Sequence, residues 1–557
     1  MKIINLLSSE GLTMELPVAS SYEEIYEKFS WNIPEYFNIA DDICDRWAGD
    51  PGRIAITYED SEKQVTQYTF ADIKNYSNQL ANLFGSLGLI AGDRLLVLLT
   101  QSPECAISHL ACFKSGVVSC MASVLFGPEG LKHRLTGSKA KVCITNAENL
   151  SKVQKIQGEC PDLLHVIVID GKPESKTLSF WDSLTSQSTQ YINLKTRSED
   201  PAWISYTSGT TGLPKGVVTP HRVLLGNVPL FQYYYDYFPK GNDVLWSPAD
   251  WAWIAGFIDI LLVGWYSGSQ VVATALQGFD AKDAFRIMSQ HKVTISLLTP
   301  TVLKLMKQVD ADEGACGLDL RIVLSGGEAV GNELARWADA RFGLTISEGF
   351  GQTECNGMIG TNPRLMEVRH GSLGKSMPGC TCAIVDDKGE IVESGVKGNI
   401  AIRRPHPAMF AEYLDDPEAT SKKFIGDWMI TGDLGEQDED GYLWFHGRID
   451  DVITSSGYRI GPTEIEDCLL KSDAVASAAV VGVPDEIKTE IIKAFVILTK
   501  GFEPSEELTE SLKDIVRQNL ARHEVPRIIE FVDEFPMTTT GKIMRRELRD
   551  RGLMSTS

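Results

Sequence analysis

Residues 206–217 read Tyr-Thr-Ser-Gly-Thr-Thr-Gly-Leu-Pro-Lys-Gly-Val, just after the apolar pair Trp203-Ile204 and Ser205. Glycine lets the backbone adopt positive φ and come close to a ligand, and successive N–H groups can then cradle an anion. Gly209 and Gly212 supply that freedom, Thr207, Ser208, Thr210 and Thr211 add hydroxyl donors, and Lys215 adds positive charge. The natural guest is a polyphosphate. The string is not a P-loop, which needs G-x-x-x-x-G-K-[ST]. Here the order is Gly209-x-x-Gly212-x-x-Lys215-Gly216, with no hydroxyl after the lysine.

Outward from this stretch, strand-like apolar runs alternate with helical patterns. Examples are 94–99, 166–169, 293–298 and 321–324, with a helical spacing of Ala284, Phe285 and Met288 before the third. That alternation predicts an α/β fold with largely parallel sheets. The apolar segment Ile258–Trp265 is too short to span a membrane and reads as a buried element of the sheet domain. From about Gly371 to Phe445 the texture changes to short strands and Gly-rich turns, which predicts a small β-barrel subdomain. After Arg448 comes a compact α+β unit. Val452-Ile453 reads as a strand, Pro462 opens a helix, strands follow at 478–483 and 494–498, and a helix covers about 505–521.

The bulk numbers bound the function. A chain of 557 residues exceeds what one core holds. Its formal net charge of −22 argues against a nucleic-acid or anionic-membrane surface, and means that a phosphate site must rest on a few local cations and backbone donors. The eleven cysteines show no paired C-x-x-C spacing and sit mostly in apolar runs, as reduced thiols of a cytosolic core do. Ile3, Ile4, Leu6 and Leu7 make too short an apolar core for a signal peptide, and no run approaches a membrane span. These readings place the protein in the cytoplasm.

Further strings stand out: Leu324-Ser-Gly-Gly-Glu-Ala329, Glu348-Gly-Phe-Gly-Gln-Thr-Glu354, Thr431-Gly-Asp433, GRIDDVITSSGYRIGPTEIE over 447–466, and Thr540-Gly541-Lys542. In order and spacing they resemble the adenylate-forming (AMP-binding) superfamily, over about Tyr36 to Leu548. Within it, Pro34-Glu35-Tyr36-Phe37-Asn38 and Thr538-Thr-Thr-Gly-Lys-Ile543 look most like medium-chain acyl-CoA synthetases.

The resemblance implies a ligase: carboxylate attacks the α-phosphorus of ATP, pyrophosphate leaves, and the acyl-adenylate passes its acyl group to CoA. Two anions must meet, so the site has to offset negative charge. By the same resemblance, Thr207–Lys215 hold the β- and γ-phosphates, Thr353 meets the α-phosphate and Glu354 ligates Mg²⁺. Asp433 and Arg448 take the ribose. Gly327, Glu328, Ala329 and Phe350 wall the adenine, with Glu348, Gly349, Gly351 and Gln352 completing the nucleotide site. Lys542 is the catalytic cation for adenylation. The resemblance also implies an AMP-binding domain over 1–449 and a mobile domain over 450–557, hinged at Asp450. Rotation there withdraws Lys542 and presents Ser456, Gly457 and Tyr458 as a pantetheine tunnel, with Arg459 and Lys488 near the CoA phosphates.

Trp253, Ile254, Gly327 and Gly351 are the expected acyl pocket. Acetate-activating relatives carry tryptophan where Gly351 stands, so a deeper pocket is expected, for a medium-length, branched or cyclic acid, and Gly351→Trp should fill it. Trp251, Ala252 and Cys355-Asn356-Gly357 also depart from the commoner family residues. The expected partners are small molecules (the acid, ATP and CoA); a homo-oligomer is compatible with them. Alternatives are an adenylating enzyme that loads a carrier protein, the same ligase run backward to make ATP, and a catalytically dead nucleotide-binding regulator.

Overall fold

A computed structural model describes residues 15–171, 177–207, 214–275, 278–309, 317–328, 330–455, 458–485, 489–538 and 543–554, without the side chains of residues 454, 458, 459, 553 and 554. It is a mixed α/β structure with a large N-terminal domain and a small C-terminal one, built on three sheets.

The first sheet has eight strands and is parallel from Pro201–Thr207 outward through Val118–Met121, Arg94–Leu98, Val142–Thr145, His165–Val168 and Thr177–Ser179. Crossover helices Pro103–Ser115, Pro128–Ser138 and Ala147–Gln157 link its strands. Strands covered on both faces need apolar residues at every position, and 118–121 and 142–145 are buried throughout.

The second sheet has fourteen strands. Six are mutually parallel, ending at Ile322–Gly326 and Ser347–Gln352. The strands expected to close as a barrel over 371–445 instead extend this sheet, antiparallel and in the order 356–360, 372–376, 443–448, 428–437, 398–403, 382–385. The physical reason is the strand Ser372–Ser376. It is hydrogen-bonded on both sides, Ile359 opposite Ser376 and Ser372 opposite Trp444, so it has no edge left for Cys382–Val385. Among the described residues there is no closed barrel.

The segment expected as a buried element around 258–265 is helical. Phe257–Leu262 forms a π-helix between the α-helical pieces Ile254–Gly256 and Val263–Tyr266. Beside it runs the helix Arg222–Tyr234, followed by Tyr235. Tyr233, Tyr234 and Tyr235 are all fully buried, and a buried phenol requires a partner. Their hydroxyls meet Met366 Sδ at 3.2 Å, Ile359 O at 2.7 Å and Asp259 O at 3.0 Å. The helix is thereby tied to both of its neighbours.

The third sheet has five strands, within 453–531, and its own core of Ile453, Ile465, Leu469, Val480, Val496, Leu512 and Val516. Pro462 begins the helix Pro462–Leu469 as the sequence predicts, and Ser505 caps Glu506–Asn519 by accepting from Leu508 N.

Candidate active site

The Gly/Thr string leaves the first sheet between strands 201–207 and 215–220, an antiparallel pair that brings Thr207 opposite Lys215. Ser208, Gly209, Thr210, Thr211 and Gly212 lie outside the described residues. Lys215 Nζ sits 5.2 Å from the Tyr413 ring centroid. Tyr413 also donates its hydroxyl to Glu354 Oε1. One tyrosine therefore links the hairpin to the Gln352-Thr353-Glu354 turn.

That turn joins strands 347–352 and Asn356–Gly360, with Gln352 opposite Asn356 in register. Asn356 takes φ 54°, a left-handed conformation that asparagine tolerates better than most residues. Glu354 is buried. Lys423 Nζ lies 3.9 Å from Glu354 Oε1 and donates to Gln352 Oε1 at 2.6 Å and to Thr431 O at 3.4 Å. Gln352 Nε2 donates to Thr431 O at 3.1 Å. Both recorded contacts of the Glu354 carboxylate fall on Oε1.

Two residues beyond Thr431, Asp433 faces Arg448 across strands 428–437 and 443–448. Arg448 Nη1 donates to Asp433 Oδ1 at 3.1 Å. Burial pushes the Asp433 carboxyl up, and the charges of Arg448 and Lys423 oppose that shift. Arg448 Nε reaches Asp450 Oδ1 at 3.3 Å, and Arg549 Nη2 donates to Asp450 O at 3.0 Å. The 350 and 445 phenylalanine rings lie 6.4 Å apart. Thr301 Oγ1 donates to Glu328 Oε1 at 3.0 Å, and a side chain added at Gly327 would meet nothing within 4 Å. Among the described residues, no group of three or more His, Cys, Asp or Glu is placed to hold a metal.

The structure places Glu348 and Gly351 differently from the expectation. The Glu348 carboxyl is buried against Val330 N–H and beside Asp467 of the helix Pro462–Leu469, and burial raises it to about 8. Asp467 is raised to about 7, by burial and then by Glu466. An unfolded chain ionises Glu348 near the ordinary ~4.3, while the fold holds the proton up to about 8. Between those values the native state binds more protons, so stability is full at the acid end and falls as pH rises. Glu348→Gln should flatten the fall of Tm between about pH 5 and 8, as differential scanning calorimetry would show. An unchanged slope would contradict this account of the carboxyl.

A Cβ added at Gly351 would lie 1.7 Å from Asn356 O and 2.3 Å from its carbonyl carbon. The space in front of Gly351 is filled by backbone, so the pocket floor expected there is not an open volume. Trp251 is 1% exposed and belongs to the core. Trp253 is partly exposed, packs edge-on to Phe126 with centroids 6.0 Å apart, and precedes Ile254 at the start of the helical run.

Comparison with known proteins gives these features a common frame. Residues 44–414 match the model of the AMP-binding enzyme family, and residues 464–542 that of its C-terminal domain. The chain belongs to the AMP-binding enzymes. It is 35% identical to Acyl-coenzyme A synthetase ACSM4, mitochondrial, of Homo sapiens, across 93% of this chain and 91% of that protein. It is 34% identical to Acetyl-coenzyme A synthetase of Bacillus subtilis (strain 168), across 95% and 94%. Among solved structures, the anthranilate CoA ligase AuaEII in complex with anthranoyl-AMP aligns with a TM-score of 0.87 at 30% identity, over 94% of this chain and 99% of that one. Its relatives make the protein an acyl-CoA synthetase of the AMP-forming ligase type.

Several motif residues of this AMP-binding enzyme lie outside the described residues: Ala329, Ser456, Gly457, Lys488 and Lys542, together with the side chains of Tyr458 and Arg459. Two members of the site are invisible to motif reading. Lys423 and Tyr413 belong to no string; Tyr413 reaches Glu354 because strand Glu412–Tyr413 pairs with Val218 and Val217 of the hairpin, and Lys423 because its carbonyl accepts from Ile430 N on strand 428–437. The ten described cysteines are free and buried. No helix among the described residues is long and apolar enough to cross a membrane. The cytoplasmic expectation has no counterpart among these findings, and the human relative is named as mitochondrial.

Proposed function

We propose that the protein joins a medium-length, branched or cyclic carboxylic acid to CoA in two half-reactions. A carboxylate oxygen attacks the α-phosphorus of ATP, the α–β phosphoanhydride bond breaks, and pyrophosphate carries away the electron pair. The CoA thiol then loses its proton and attacks the acyl carbon, releasing AMP. The observation that carries this reading is the linked arrangement of Lys215, Tyr413, Glu354, Lys423 and Gln352, with Asp433, two residues past Thr431, bonded to Arg448.

The roles are those the family resemblance implies, and the chemistry of each residue supports them. Thr207 to Lys215 receive the β- and γ-phosphates, and Thr353 the α-phosphate. The adenine lies between Phe350 and the Gly327–Ala329 segment. Asp433, an acceptor when ionised, takes the ribose hydroxyls, and Arg448 holds it in place. Magnesium enters with ATP as part of the substrate. A hard cation keeping several waters needs only one or two protein carboxylates, and Glu354, whose Oε2 has no partner among the described residues, fits that demand. Lys542 supplies the mobile charge. Asp450, between Arg448 and Arg549, is the pivot between residues 1–449 and 450–557, and rotation brings Ser456 to Arg459, with Lys488, to CoA.

An acid panel assayed for pyrophosphate release, with and without CoA, tests the reading. Acid-dependent pyrophosphate, with CoA-dependent AMP and thioester in equal amounts, is the expected result. Transfer only to a carrier protein would instead favour the carrier-loading alternative. Asp433→Ala should raise KM for ATP roughly 10–100-fold, the loss of charge-assisted hydrogen bonds contributing about 1.5–3 kcal/mol. An unchanged KM for ATP would remove Asp433 from the nucleotide site.

A further inference from the structure

The π-helix Phe257–Leu262 carries an acid, Asp259, into the interior. The residue is 6% exposed. Its carboxyl has one hydrogen bond among the described residues, from Asn356 Nδ2 to Oδ1 at 2.7 Å. The other amide hydrogen of Asn356 goes to Asn227 Oδ1 at 2.8 Å, and Asn227 in turn donates to Val223 O at 2.7 Å. Both side-chain amide hydrogens of Asn356 are spent, and Oδ2 of Asp259 has no protein donor among the described residues. Among the described residues no cation lies beside this carboxyl. Oδ2 is not among the fully enclosed polar atoms that lack a partner, so this oxygen keeps access to a group outside the protein, and a carboxyl so placed calls for an explanation.

The position of the cluster supplies one. Asp259 lies on the helical run that begins at Trp253 and Ile254. Asn356 stands opposite Gln352, and its carbonyl occupies the space in front of Gly351. The Asp259–Asn356 contact therefore joins the helical run assigned to the acyl group to the hairpin that carries Gln352 and Glu354. A single-turn π-helix is itself frequent where a helix has been adapted to a ligand.

We propose that Asp259, oriented by Asn356 and Asn227, is a specificity residue that accepts a hydrogen bond from an N–H or O–H group on the acid substrate. The substrate class is then a carboxylic acid carrying an amino or hydroxyl substituent, rather than a plain hydrocarbon acid. This rests on the ligase reading of the same site.

The test is kcat/KM for pyrophosphate release on matched acids: benzoate with its amino and hydroxy isomers, and hexanoate with its ω-amino and ω-hydroxy derivatives. Wild-type enzyme should prefer at least one donor-bearing acid over its plain counterpart by about 10-fold or more. A site built to bond a polar substituent rejects the analogue lacking it far more strongly than a methylene difference allows. In Asp259→Leu the donor-to-plain ratio should drop by about 10-fold or more, to near unity. Asp259→Asn keeps the shape should the leucine variant not fold. It should retain most of the ratio for a hydroxyl and lose it for an ammonium, which identifies the donor.

Preference for the plain acid over every derivative would overturn the proposal while leaving the ligase intact. So would equal losses on all acids, the signature of a structural carboxyl. Absence of pyrophosphate with every acid, donor-bearing ones included, would overturn the ligase reading itself.

Discussion

Lys542→Ala should lower acid-dependent pyrophosphate release by ~10²–10³-fold, the usual effect of removing one preorganised electrostatic contact, and leave the second half-reaction nearly intact. Adenylation brings a carboxylate against a polyphosphate, so a cation that bridges them lowers the barrier of that step. Thioester formation from the acyl-adenylate releases AMP and has no such encounter. Synthetic acyl-adenylate plus CoA, followed by thioester absorbance, isolates the second step. Equal losses in both assays would mean that Lys542 acts on the fold or on both steps, and would remove the case for a rotating domain.

Gly351→Trp should fail as a specificity switch and act as a folding defect. Resemblance to acetate-activating enzymes suggests that a tryptophan there would fill a deep pocket and redirect the enzyme to acetate. In this protein, however, even the first side-chain atom would lie 1.7 Å from Asn356 O. Accommodating it requires the 347–352 and 356–360 strands to part, at the irregular register between Phe350 and Gly351. Gly351→Ala should therefore already reduce stability by about 2–4 kcal/mol, in the upper range of point substitutions, and Gly351→Trp should yield little folded protein. Urea denaturation of the alanine variant measures this. A variant of wild-type stability with restored acetate turnover would show that the hairpin yields and that position 351 does set pocket depth.

What the sequence makes legible is what local physics determines. The runs 94–99 and 166–169 read as strands because both sheet faces are covered, and helices start at Pro462, through its fixed backbone, and after Ser505, through its side-chain cap. The region 371–445 shows its short strands and Gly turns equally well. Closure is a different matter, decided by which distant strand takes the last edge. Here Ser372–Ser376 is claimed by Asn356–Gly360, and no hairpin signal encodes that choice. The site divides in the same way. Asp433, Arg448 and Glu354 stand out in strings, whereas Lys423 and Tyr413 enter only through tertiary pairing. Gly351 is the sharpest case. A sequence reports that a side chain is missing, but not whether water, substrate or backbone occupies its place.

The central claim is that the acid is activated by direct attack on the α-phosphorus of ATP. Turnover of an accepted acid labelled with ¹⁸O in both carboxylate oxygens, with ATP and CoA, tests it by mass spectrometry of the products. The account predicts one labelled oxygen in AMP for each thioester formed, and none in pyrophosphate. Label in inorganic phosphate or in a γ-derived product, or ADP in place of AMP, would contradict it.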